Sequence, residues 1–147
     1  MKTKKDLTTT LFMLLLAIAY ANTINAQTKA DALLGEWLSE KKDSRFLIYK
    51  QDQKYYGKIV WGTGSDTKDS KNPNVKLRNR ELIGLTILHD FAFDGEDAWE
   101  DGTIYDPREG KTYTCKVTMK SDDELNVRGY MGISMFGRTE VWTRVKK

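Results

Sequence analysis

The sequence predicts an all-β domain, about eight antiparallel strands closed in up-and-down order into a barrel behind a short N-terminal helical turn. Three observations carry this reading. Period-2 alternation of apolar and polar residues recurs along the chain, while helical periodicity is weak almost everywhere after the first 26 residues. Most connections between the alternating segments are short and rich in Gly, Asp, Asn and Lys, which leaves no room for the crossover helices of a parallel sheet. A sheet with no helices to cover it must protect its edges, and closure removes them.

The elements follow in order. Residues 30–37 suit one helical turn leading into the first strand, Gly35–Leu38. Alternating segments then cover Ser44–Gln51, 54–61, 82–93, 97–105, 111–120, 124–132 and 135–145. Asp52-Gln53, residues 106–110 and 121–123, and Ile133-Ser134 are the turns. In the 106–110 turn Pro107 presets the bend and Gly110 permits a left-handed angle. Gly129, Gly132 and Gly137 fit positions of bulge or curvature, and no strand-to-helix step follows them that would make a phosphate loop. The exception is the long polar connection 62–80, a length at which loops often carry function.

The chain has 147 residues, enough for one domain. Its start reads as an export signal. Lys2, Lys4 and Lys5 form a basic region before the apolar run 11–18, and Ala19-Tyr20-Ala21 and Ile24-Asn25-Ala26 both fit a cleavage site. Cleavage after Ala26 is preferred, which makes 1–26 the signal and 27–147 a single barrel domain. The apolar run is well short of the ~20 residues that span a bilayer, and no cysteine follows it to take a lipid. The expected location is therefore periplasmic or secreted, with no transmembrane segment in the processed protein.

The formal net charge of +3 falls to +1 once Lys2, Lys4, Lys5 and Asp6 are set aside. Basic and acidic residues interleave, as in Glu40-Lys41-Lys42-Asp43, so the basic stripe that displaces counterions from nucleic acid is missing. Lys76-Leu77-Arg78-Asn79-Arg80 comes nearest and reads as a solvated rim. The single cysteine, Cys115, alternates with Tyr113, Val117 and Met119 on an apolar face, where a free thiol packs as a small hydrophobe.

Gly35-Glu36-Trp37 at the first strand and Arg144 near the end of the last resemble the calycin group, the lipocalins and their relatives. In that group such an arginine lies across the tryptophan and closes one end of the barrel, so the resemblance implies barrel closure by Trp37 and Arg144. A fuller match runs through Asp69-Ser70-Lys71-Asn72-Pro73, Arg78-Asn79-Arg80, Gly84-Leu85, residues 102–113, 125–130 and 136–144. In these ordered blocks the chain resembles the bacterial family called domain of unknown function 2147. That resemblance implies an exported, lipocalin-like β protein with no assigned activity. Some relatives carry two cysteines at the places of Tyr130 and Gly137, and any disulfide they form is absent here.

Candidate chemistry is sparse. His89, the only histidine, shares parity with Leu85, Ile87, Phe91 and Phe93, which places it on the apolar face as a core histidine or, less simply, a general base. One histidine builds no His-rich zinc site. The acidic stretch 94–102 reads as a solvated hairpin; its order does not follow the helical calcium loop, and no carboxylate pair at glycosidase separation is legible in it. No metal or cofactor is expected.

What remains is aromatic and basic. Tyr55, Ile59 and Trp61 share one strand face, and Trp99, Thr103 and Tyr105 share another. Arg128 alternates with Tyr130, and Arg138 with Phe136 and Trp142. Aromatic walls with a few arginines suit a ligand with an apolar or ring portion and an anionic or hydroxyl end. The same 14 aromatics of residues 27–147 would also fill a solid barrel. The expectation is a binder of a small amphipathic or anionic molecule or lipid in the cell envelope, through Arg78, Arg80, Trp99, Tyr113, Arg128, Tyr130 and Arg138. The alternatives are a packed barrel that docks a protein partner through 62–80, and a hydrolase or isomerase using His89.

Overall fold

The computed structural model describes residues 11–14 and 28–146. Apart from the helical residues 11–14, the expected export signal and its cleavage after Ala26 lie outside the described residues. No described helix is long and apolar enough to cross a membrane.

Eight strands close into a barrel in sequence order: β1 (Gly35–Leu38), β2 (Ser44–Gln51), β3 (Lys54–Gly62), β4 (Thr86–Phe93), β5 (Ala98–Asp106), β6 (Lys111–Ser121), β7 (Glu124–Tyr130) and β8 (Arg138–Arg144). Every neighbouring pair is antiparallel, and β8 returns to β1 through Trp37↔Arg144 and Leu38↔Thr143. The helical turn before β1 is a 3-10 segment over Asp31–Leu33. β4 and β8 start later than their alternation suggested, because chain ahead of each is taken into loops.

Alternation sets the interior where the strands are regular. Phe46 and Ile48 on β2, Tyr55 and Ile59 on β3, and Leu125 and Val127 on β7 are all buried. Cys115 and Val117 follow the same rule on β6, and burial pushes the Cys115 thiol up to about 12.

Register shifts break the parity on β3, β4, β5 and β6. On β3 the shift beyond Ile59 sets Trp61 opposite Arg45 and exposed, off the face of Tyr55 and Ile59 where alternation put it. On β4, Asp90 takes φ 65, and the register to β3 shifts so that Leu88 faces Gly57 and Phe91 faces Tyr55. Both Ile87 and Leu88 are then buried, and His89 is left on the other side of the strand. There its Nε2 lies 3.1 Å from the Thr86 carbonyl and its ring stands edge-on to Tyr56. The interior placement expected for His89 is corrected by the two register shifts that flank it, one between Thr86 and Leu88 and one at Asp90. On β5, Asp101 takes φ 61, and the pairing jumps from Trp99↔Val117 to Gly102↔Cys115. Trp99 points into the core, whereas Tyr105, expected on the same face, packs on the outside beneath the long connection.

That connection, 63–85, contains a 3-10 turn over Val75–Leu77 and a bridge Lys68↔Glu81. It is fastened to the barrel by a buried carboxylate. Asp69 is fully buried and accepts hydrogen bonds from Tyr105 Oη (2.5 Å), Asn72 Nδ2 (2.7 Å) and Arg80 Nε (2.8 Å). A charge out of water is tolerable when it is paired and its lone pairs are filled, and here both conditions hold. Gly110 sits against the same loop at φ 68, where a Cβ would come 1.9 Å from the Lys71 carbonyl oxygen. Only glycine fits that position.

Candidate functional site

The barrel has two unlike ends. At one end the strands meet in short turns, and Asp52-Gln53 takes left-handed angles at both residues, as a tight hairpin requires. Trp37 is fully buried there, with its Nε1 donating to the Leu33 carbonyl (3.0 Å). The Arg144 guanidinium lies over the Trp37 ring, 4.1 Å from its centroid, while its Nη1 and Nε donate to the carbonyls of Leu34 (2.9 Å) and Asp122 (2.7 Å). Gly35 makes this possible: it holds φ 123, and its Cα stands so close that an added Cβ would lie 3.1 Å from Arg144 Nη1. The glycine, tryptophan and arginine thus form one cap. Above it Trp99 packs against Phe93 and edge-on to Tyr55, and Phe91 fills the space left by Gly102.

The other end is hollow. A cavity of about 700 Å³ opens among the connections β1–β2, β3–β4, β5–β6 and β7–β8. Its wall is apolar: Phe46, Ile59, Ile87, Ile104, Val127 and Trp142, with Phe46 and Trp142 stacked at 4.1 Å. Gly129 also lines it, and the space it leaves has Ile104 and Tyr113 as nearest neighbours.

The mouth is polar and pre-paired. Asp43 accepts from Ser39 Oγ (2.9 Å), Ser44 Oγ (3.2 Å) and Arg108 Nη2 (3.1 Å). Partial burial pushes its carboxyl up, but the hydrogen bonds from Ser39, Ser44 and Arg108 and the Arg108 charge together outweigh burial and hold it below the usual value. Tyr113 Oη donates to Glu109, which lowers the Glu109 carboxyl and raises the phenol. Arg138 pairs with Glu140 at 3.1 Å. Asp43, Arg108, Glu109, Arg138 and Glu140 at the rim therefore each hold a partner that a ligand must either share or displace.

Of the residues singled out in the sequence, Tyr113, Tyr130 and Arg138 come together at this mouth. The other four stand elsewhere. Arg80 is committed to Asp69 and stacks over Tyr105 at 5.6 Å, and Arg78 donates to the Asn72 carbonyl (2.8 Å) within the long connection. Trp99 belongs to the packed core. Arg128 reaches along the sheet to Thr139 Oγ1 (2.8 Å) and the Met135 carbonyl (3.3 Å). Sequence reasoning put Ile59 and Trp142 on candidate walls but did not bring Phe46, Ile104 and Val127 to them. The wall's signal was present on β8, where Arg138 and Trp142 share parity, and on β2 and β3, where Phe46 and Ile59 sit on the buried face. His89 lines a separate shallow depression with Arg80, Thr86 and Tyr105. Among the described residues no group of His, Cys, Asp and Glu is placed to hold a metal ion.

Residues 35–144 match the family model described as "Uncharacterized protein conserved in bacteria (DUF2147)". Among solved structures the chain is similar to protein HP1028 from the human pathogen Helicobacter pylori, described as belonging to the lipocalin family. The two are 30% identical with a TM-score of 0.72, over 78% of this chain and 83% of that one. No curated protein matches the chain significantly.

Proposed function

From the premise that the chain belongs to the bacterial DUF2147 family and has a lipocalin-like barrel, we propose that it is an exported binder of a small amphipathic molecule. The observation that carries the reading is the cavity itself: about 700 Å³, walled by Phe46, Ile59, Ile87, Ile104, Val127 and Trp142, and polar only at its mouth. Volumes of this order hold small-molecule ligands, and an apolar wall with a few convergent polar groups is their usual environment. The apolar or ring portion enters against Phe46 and Trp142. The polar end stays among Tyr113, Tyr130 and Arg138. Because Arg138 and the other named rim charges are already paired, the polar end contributes orientation more than affinity, and apolar burial supplies most of the binding. The basic start of the chain and the run 11–18 support export, with processing after Ala26, to the periplasm or beyond.

The test is titration with 1-anilinonaphthalene-8-sulfonate, followed by native mass spectrometry of protein taken from its own cell envelope. Saturable emission enhancement is expected, with affinity reduced on the order of tenfold or more by Gly129→Leu, which projects a side chain into the cavity. An extra mass lost on denaturation would begin to identify the natural ligand. Probe binding that Gly129→Leu leaves unchanged would place the probe elsewhere and sink the reading.

A further inference from the structure

The β7–β8 connection has an unusual composition for a surface turn. From Gly129 to Gly137 the chain reads Gly-Tyr-Met-Gly-Ile-Ser-Met-Phe-Gly, with no formal charge, and arginines stand at both ends, Arg128 and Arg138. Met131, Ile133, Met135 and Phe136 are 60–78% exposed. Scattered apolar side chains on a surface are ordinary, but four in one short connection form a patch that asks for a partner. Met131 and Phe136 also line the cavity mouth, as does the exposed Ile83 from the β3–β4 connection. The apolar lining of the cavity thus continues onto the rim.

We propose that this connection is a membrane-docking tip, which enters the interfacial layer of a phospholipid bilayer and turns the cavity mouth toward the acyl chains. An amphiphile then passes between bilayer and barrel without crossing water. The transfer step rests on the ligand-binding reading above; the docking does not.

Three features select a bilayer over other partners. Two backbone carbonyls of the tip already accept hydrogen bonds, Ile133 from the Phe136 N–H (3.3 Å) and Met135 from Arg128 Nη2 (3.3 Å), which lowers the cost of moving them from water into the interfacial layer. Arginines that bracket an apolar tip carry their apolar stems along it and their guanidinium groups at headgroup depth. Acids outnumber bases around the mouth, so a second copy docked face to face would set like charges against each other. The same excess of acid predicts that docking proceeds on zwitterionic lipid and does not need anionic headgroups.

The test places an environment-sensitive NBD fluorophore on the tip through Met135→Cys. Cys115 does not compete, being buried with its thiol pushed up to about 12. On phosphatidylcholine vesicles the emission is expected to shift to the blue and rise several-fold, and to be quenched by brominated acyl chains. The same label at Gln53→Cys, in the opposite turn, is expected to stay unchanged. Reading the tip itself keeps the result independent of the apolar run 11–18. Ile133→Ser with Met135→Ser in the unlabelled chain should reduce vesicle partitioning about tenfold. It should leave anilinonaphthalene sulfonate binding intact, since neither side chain lines the cavity. An unshifted label on phosphatidylcholine and on phosphatidylglycerol vesicles alike would overturn the proposal and turn attention to a protein partner. A shifted label on a protein that binds no probe would uphold docking and refute the ligand reading instead.

Discussion

The two ends of this barrel are built from the same eight strands and differ in what fills them. At the closed end, glycines make room for large side chains: Gly57 faces Leu88, and Gly102 faces Phe91, where an added Cβ would lie 2.5 Å from the ring. At the open end, Gly129 is matched by no such neighbour; an added Cβ there would meet Ile104 at an ordinary 3.4 Å. The same residue type is used in one place to complete packing and in the other to leave space. The closed end has the dispersion contacts and cation–π cap that stabilise the fold, and the open end has the room that permits binding. Stability and ligand capacity are therefore separable here by mutation.

The largest expected effect tests that separation at the cap. Trp37→Ala removes a fully buried indole and should cost about 3–5 kcal/mol in urea unfolding. Asp69→Ala comes next: it strips the anchor of the long connection and leaves Tyr105 and Asn72 without their shared acceptor. A loss of about 2–4 kcal/mol is expected, with faster amide exchange at residues whose backbone hydrogen bonds cross that loop, among them Leu82. Gly102→Ala should cost about 1–3 kcal/mol by overpacking against Phe91, whereas Gly129→Ala at the open end should change stability by no more than about 0.5 kcal/mol. Equal losses from the two glycine variants would erase the distinction between the ends.

The smallest effects are in titration. The Asp43 carboxyl is lowered in the folded protein, so its contribution is present above the ordinary 3.8 and is lost as pH falls through the lowered value. Protons titrating Asp43 should loosen the β1–β2 connection and leave the cap intact, which carbon-detected NMR of the carboxylate and the Ser44 amide would follow. Cys115 acts in the opposite direction. Its folded thiol stays protonated to about 12, so stability is full below the ordinary 9.0 and falls between the two values as the unfolded chain ionises. A thiol reagent at pH 8 should modify Cys115 only at the rate of unfolding.

Much of this architecture was legible because strand alternation is a local signal. Ser44–Gln51 and Gly35–Leu38 are strands with the bounds that alternation gives, and the other six agree to within a few residues at most of their ends. Where reading failed, register shifts were the cause. On β4 two shifts bracket His89, one between Thr86 and Leu88 and one at Asp90, so His89 leaves the interior while Phe91 stays in it. On β5 the shift at Asp101 exchanges the faces of the residues beyond it. Aspartate tolerates the left-handed angle that Asp90 and Asp101 adopt but does not announce it, so His89 and Tyr105 were assigned to faces they do not occupy.

The sequence by itself determined the succession of antiparallel strands and the burial of Cys115, because each depends on periodicity or on short spacing along the chain. The cap residues Trp37 and Arg144 followed from the resemblance to the calycins. The sequence also marked Tyr113, Tyr130 and Arg138, through their place on alternating strands. Only the tertiary structure decided that Arg80 neutralises a buried Asp69 instead of waiting for an anion, and that Trp99 completes the core. It alone set the hollow half beside the filled one. Those outcomes depend on which side chains meet across the barrel and how their volumes sum, and neither quantity is local in sequence.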